Sequence, residues 1–95
     1  LDKQTILNAG VELAKTRGYR DVFKRNIATV LGCGMGTVNY HWGTMDELRF
    51  AILEKAIVDG VNVIIMQAVG LRDPQVFREN GQLIAAARRA VEART

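Results

Sequence analysis

The sequence predicts an all-α fold, a three-helix headpiece built around a helix-turn-helix and followed by two C-terminal helices that form a dimerisation bundle. Three observations predict it. Apolar residues recur at helical spacing along most of the chain, and no run alternates Val, Ile and Thr in the manner of a strand. Proline occurs once in 95 residues. The stretch Ile27 to Trp42, IATVLGCGMGTVNYHW, sets a short apolar helix, a glycine-bearing turn and a second helix in direct succession.

Taken in order, the first helix places Ile6, Ala9, Gly10, Leu13 and Ala14 on one face, with Asp2 as its N-cap and Gly18 as its stop. Tyr19 to Phe23 is a connector. Lys24 opens a second helix carrying Ile27, Ala28 and Leu31, and Gly32 ends it in the left-handed conformation that a residue without a Cβ adopts freely. Cys33 fills the turn as a small hydrophobe. Met35 to His41 forms the next helix, whose Val38 meets Ile27 and Leu31 while Ala28 lets the two helices approach. Its outer face carries Thr37, Asn39, Tyr40 and His41, and in a helix-turn-helix that face enters the major groove of DNA. Thr44 and Glu47 stand in the relation of a capping box. Leu48, Ile52, Leu53, Ala56 and Ile57 follow on a fourth helix that the pattern extends toward Val69. Asp73 and Pro74 signal a last helix running to about Ala93, with Phe77, Leu83, Ile84, Ala87 and Val91 mostly on one side. Residues 1–53 thus read as a DNA-binding headpiece and residues 54–95 as a helical dimerisation region.

Composition narrows the function classes. At 48% hydrophobic and 24% charged, the chain has material for one small core. A net charge of +3 and a pI near 9.4 suit a polyanionic partner without requiring one. One cysteine and one histidine exclude an intrachain disulfide and a structural zinc site, and no cofactor is implied. No nucleophile, base and orienting group fall together at any helical spacing, so an enzyme is not expected. The most apolar stretch, Ala56 to Val69, is interrupted by Asp59, Asn62 and Gln67 and falls short of the ~20 residues that cross a bilayer. No basic-then-apolar run opens the sequence, so neither a leader nor a location outside the cytoplasm is expected.

From Ile6 to Leu53 the chain resembles, without a gap, the N-terminal DNA-binding domain of the TetR family of bacterial repressors. ILNAGVELAKTRGY matches the first helix of that family and its RGY ending. Arg25, Ile27, Ala28, Gly32, Gly36, Thr37, Tyr40 or His41, Gly43 and the Glu47–Leu48 pair fall where its pattern places them. The resemblance implies a homodimer that binds a palindromic operator in double-stranded DNA and blocks transcription, in a bacterium or encoded by a phage or plasmid, at the nucleoid. The chain also departs from the pattern. Val22 and Phe23 stand where family members usually carry a hydroxyl residue, and Gly34 and Met35 where a Ser-Lys pair is common. Met45 replaces a frequent lysine and Asn39 an aromatic residue.

The DNA-binding residues expected on this basis are Lys24, Arg25, Gly34, Met35, Thr37, Asn39, Tyr40 and His41. Asn39 suits a bidentate pair with adenine and equally an ordinary exposed polar position; Thr37 suits a base edge or a phosphate, and Met35 a thymine methyl. Tyr40 and His41 resemble the backbone-contacting pair of the family, which positions the protein on the duplex. Lys24 and Arg25 add charge near amides oriented toward phosphate. No Lys, Arg, Asp or Glu occurs between Asn26 and Met45, so electrostatic anchoring falls to the flanks, at Arg17, Arg20, Lys24, Arg25 and Arg49. Trp42 reads as a core residue against the first helix, and Arg88 and Arg89 as a solvated helix face.

Too few residues follow Leu53 to enclose the ~300 Å³ or more that a drug-sized ligand occupies, so no small-molecule inducer is expected. Val61, Val63, Ile64, Ile65, Val69, Phe77, Leu83 and Ile84 exceed what a headpiece covers, and read as a dimer interface, a four-helix arrangement about a two-fold axis. The leading function is therefore a small homodimeric, sequence-specific transcriptional regulator, most simply a repressor. The alternative is a protein-binding module, an antirepressor or adaptor that keeps the fold and has weak affinity for DNA.

Overall fold

A computed structural model describes residues 1–94 and contains, among them, six α-helices, two 3-10 turns and no strand. The chain divides into two compact units, with the boundary between Ile52 and Leu53.

In the first unit, α1 (Lys3–Arg17) opens at Asp2, whose carboxylate accepts the Thr5 N–H at 2.7 Å, and closes at Gly18. Ile6, Gly10 and Ala14 are buried as the sequence pattern anticipates. Leu7 and Val11 are buried too, whereas Ala9 and Leu13 are only half-covered. The buried arc is thus rotated by part of a turn, because positions i+1 and i+5 flank the i, i+4 row as closely as i+3 and i+7 do. A 3-10 turn, Tyr19–Asp21, then buries Tyr19, and Val22 beyond it is fully enclosed. In α2 (Lys24–Leu31) the Asn26 side chain accepts the Phe23 N–H at 2.9 Å, satisfying an amide that the helix start leaves open. The helix ends at Gly32, and the Cys33 N–H closes back onto the Ala28 carbonyl at 3.0 Å. After the turn comes α3 (Met35–His41), over the span the sequence predicts. Thr44 then accepts the Glu47 N–H at 3.1 Å and starts α4 (Met45–Asp59). A Cβ at Gly10 would lie 2.9 Å from Ile52 Cδ1, so α1 and α4 approach closely at that point. Ile6, Val22, Ile27, Val38, Leu48 and Ile52 form a dry core beneath α3.

The second unit departs from the sequence expectation in two places. The fourth helix does not continue toward Val69. It stops at Asp59, where Gly60 adopts φ 70° and the Val61 N–H returns to the Ala56 carbonyl at 2.9 Å. This left-handed closure ends a helix that hydrophobic periodicity alone would prolong. A separate α5 (Asn62–Gly70) follows. Nor does a single helix run from Pro74 to Ala93. Asp73 caps only a 3-10 turn, Pro74–Val76, by accepting the Gln75 N–H at 3.0 Å. The chain then folds into a small hairpin in which Phe77 bridges Leu83. The Arg78 N–H donates to the Gln82 carbonyl at 2.7 Å, and the Gln82 N–H to Asn80 Oδ1 at 3.0 Å. Asn80 followed by Gly81 is a strong hairpin signal, and it overrides the helical spacing around it. Only Ala85–Glu92 form α6. Ile64, Ile65 and Ala68 of α5, Val76, and the alanines 86, 87 and 90 of α6 are buried in this unit. The small side chains let α6 pack close to α5. Ile64 and Ile65, read from the sequence as interface residues, instead lie in the unit's own core.

Two predictions follow from these closures. Nothing lies within 4 Å of a Cβ placed at Gly60, so only its backbone conformation opposes a side chain. Gly60→Ala is expected to lower stability by about 1 kcal/mol, whereas in a continuous helix it would raise stability by about the same amount, and the sign of the shift in denaturation midpoint separates the two. At the other end of the chain, the backbone and then the side-chain hydrogen bond from Thr5 hold the Asp2 carboxyl below its ordinary 3.8. Its stabilising effect is present above that value and is lost as pH falls through the lowered one. Asp2→Ala is therefore expected to destabilise the protein at neutral pH, with the difference from wild type shrinking below pH 3.8 in a series of denaturation curves.

Candidate nucleic-acid interface

α3 is held from beneath and at its end. Val38 is fully buried and fixes the inner face of the helix in the packing with α2. Trp42, directly after the helix, is 8% exposed, and its Nε1–H donates to the Lys3 carbonyl at 3.2 Å. The Lys3 ammonium stands 4.4 Å from the centre of the same ring. A helix of seven residues would fray in isolation. Here tertiary contacts fix its inner face and its C-terminal end.

That anchoring leaves the opposite face open. Met35, Gly36, Asn39 and Tyr40 are exposed, Tyr40 at 79%, while Thr37 and His41 are half-covered. The Tyr40 and His41 rings meet edge to face, with centroids 5.0 Å apart. Gly34, the residue before α3, has nothing within 4 Å of a Cβ position, so a ligand has room to reach the backbone there. Lys24, Arg25 and Met35 lie together around a groove of about 320 Å³, with Phe23 and Met45 completing its lining. All eight residues expected from the sequence therefore lie on α3, on the residue before it, or at the start of α2.

The basic residues are deployed less simply than their spacing suggests. The Lys24 ammonium reaches across to the end of α3 and donates to Asn39 Oδ1 at 2.7 Å and to the Gly43 carbonyl at 2.9 Å. Arg17 donates through Nε to the Asp21 carbonyl at 3.1 Å. Arg49 donates to the Val22 carbonyl at 3.4 Å and lies 3.6 Å from Asp46. The Arg25 and Arg49 guanidinium groups stand 5.2 and 5.1 Å from the ring of Phe23. Phe23 has no side-chain acceptor for the helix start, and attracts two cations electrostatically instead. From the sequence alone Phe23 reads only as the loss of a hydroxyl. The cations at positions 25 and 49, two residues after it and on a later helix, were the signal for its role, but only the fold brings Arg49 there. Cys33 is a half-buried free thiol. Among the described residues, no three His, Cys, Asp or Glu side chains are grouped to hold a metal, and no helix is long and apolar enough to cross a membrane.

The family model for bacterial regulatory proteins of the tetR family matches residues 6–52, the segment that contains this surface. Neither the curated proteins nor the solved structures provide a match to the chain.

The tether at the end of α3 is open to a direct test. Trp42→Phe keeps a buried ring and removes the bond from Nε1 to Lys3, and should lower stability by about 1 kcal/mol in chemical denaturation. Lys3 shifts in an NMR spectrum of the variant should accompany the loss.

Proposed function

We propose, on the premise that residues 6–52 belong to the tetR family of bacterial regulatory proteins, that this chain is a homodimeric, sequence-specific repressor. In this reading it binds a palindromic operator through the outer face of α3. The observation that carries it is the two-sided character of that helix, with Val38 fully buried and Tyr40 79% exposed only two residues later. Such a helix has a buried back and an exposed front, as major-groove insertion requires. Lys24, Arg25, Gly34, Met35, Thr37, Asn39, Tyr40 and His41 form the proposed contact surface, with Tyr40 and His41 positioning the protein on phosphates.

Support for dimerisation lies in the second unit. Val58, Val63 and Leu71 are exposed at 79%, 49% and 54%. Val63 and Met66, one turn apart on α5, line a groove of about 360 Å³ with Asn62 and Arg94. A second copy covering these side chains would remove apolar surface from water and fix the spacing of two operator half-sites. A second reading, a protein-binding module with weak DNA affinity, is favoured by one observation. Arg17, Lys24 and Arg49 all donate to carbonyls of their own chain, which commits donors that would otherwise be offered to phosphate.

Selection of bound fragments from a random pool of double-stranded DNA separates the two readings. The repressor reading expects an inverted repeat to be enriched, while an unenriched pool with folded, dimeric protein supports the protein-binding module. On the enriched site, Tyr40→Ala should weaken binding about tenfold, as expected for a hydrogen bond to a charged group, with no change in helical circular dichroism. Because Tyr40 carries no charge, the dependence of affinity on salt should be unaltered. Arg25→Ala should reduce that slope by about one ion.

A further inference from the structure

The bond between Lys24 and Asn39 fixes what Asn39 offers to a base. An asparagine side chain ordinarily presents a carbonyl acceptor and an amino donor, which together match the N6 and N7 edge of adenine. An ammonium group has three donors and no acceptor. At 2.7 Å from Lys24 Nζ, the Asn39 oxygen is the only atom of that amide able to face the ammonium. The amide orientation, usually ambiguous, is thereby determined, and the NH2 group is turned away from Lys24. A second anchor, from Lys24 Nζ to the Gly43 carbonyl at 2.9 Å, keeps the ammonium in place across the end of α3. Lys24 is half-buried, while Asn39 is exposed on the outer face beside Tyr40.

We infer that Lys24 is a specificity-determining residue, which engages the Asn39 oxygen, leaves the amino group as the donor offered to a base, and directs Asn39 to guanine rather than adenine. This rests on the reading of α3 as the recognition helix. Guanine presents two acceptors, O6 and N7, in the major groove, and both match the Asn39 NH2 group. Adenine and cytosine each present an amino group there, which would meet a hydrogen-bond donor and a nearby positive charge. Bidentate adenine recognition would require the Asn39 oxygen either to leave Lys24 or to take the N6 amino group on its second lone pair, beside the ammonium charge, so the pair discriminates by what it disfavours as well as by what it offers. Lys24 on this account positions Asn39 and need not touch the DNA itself.

The experiment is random-pool selection with wild type, Asn39→Ala and Lys24→Met, each first shown to be folded by circular dichroism. Asn39→Ala should flatten the base preference at one position of each half-site, which identifies the base that Asn39 reads. Wild type should select guanine there by about tenfold, and Lys24→Met should shift the preference to adenine by freeing the oxygen. A purely structural role for Lys24 would instead lower affinity at all positions without changing the preferred base, and that result overturns the inference. A measurement on wild type alone guards against a misfolded variant. Replacing that guanine with 7-deazaguanine removes N7 and should weaken binding severalfold, whereas unchanged affinity overturns the inference. If wild type enriches no sequence at all, the repressor reading fails and the inference fails with it; if it enriches a site at which Asn39→Ala flattens a preference for adenine, only the inference fails.

Discussion

The burial of Val38 and Trp42 is the constraint on which the rest of the first unit depends. Seven residues of helix have too few internal hydrogen bonds to persist alone, so α3 exists because its inner face and its end are held by other elements. Val38 supplies the first constraint through dispersion and hydrophobic burial against the core. Trp42 supplies the second, since its indole must both enter the core and find an acceptor for its N–H, which the Lys3 carbonyl provides. With those two residues fixed, the 3.6-residue period determines which side chains face outward. Gly36 and Tyr40 are exposed as a consequence of where Val38 and Trp42 are buried, with Asn39 on the flank, whereas Met35 lies on the side of Val38 and is exposed at the open first turn.

Charge is arranged around this helix rather than on it. The segment from Asn26 to Met45 carries no formally charged side chain, and the neighbouring cations are partly engaged by the protein's own carbonyls. An arrangement of this kind places more of the recognition on hydrogen-bond geometry and less on bulk attraction to phosphate. Lys24 illustrates the distinction. Its charge belongs to the flank, but its hydrogen bonds act on the reading face, through Asn39 and through the carbonyl of Gly43.

Much of the first unit was legible in the sequence because its signals are local. Asp2, Gly18, Gly32 and Thr44 mark helix ends with side chains or backbone freedom that act within a few residues, and α3 occupies the predicted span. The second unit was less legible because two local signals competed with a longer periodic one. Gly60 sits within an apolar run whose spacing continues past it, and Asn80–Gly81 lies between apolar residues that a helix would also align. In both cases the turn chemistry prevails over the period. At the candidate site, the residue types were evident but their pairings were not. That Lys24 meets Asn39, fifteen residues away, and that Arg49 meets Phe23 depend on how α2, α3 and α4 pack, which no spacing rule expresses.

The proposed function depends on the outer face of α3 being the surface that meets DNA. Titration of isotope-labelled protein with its selected duplex, followed by backbone and side-chain amide shifts in NMR, tests this most directly. The largest changes are expected at Met35, Gly36, Asn39 and Tyr40 and at the start of α2 near Lys24 and Arg25. Changes confined to residues 53–94, or an unperturbed α3 at saturating duplex, would contradict it.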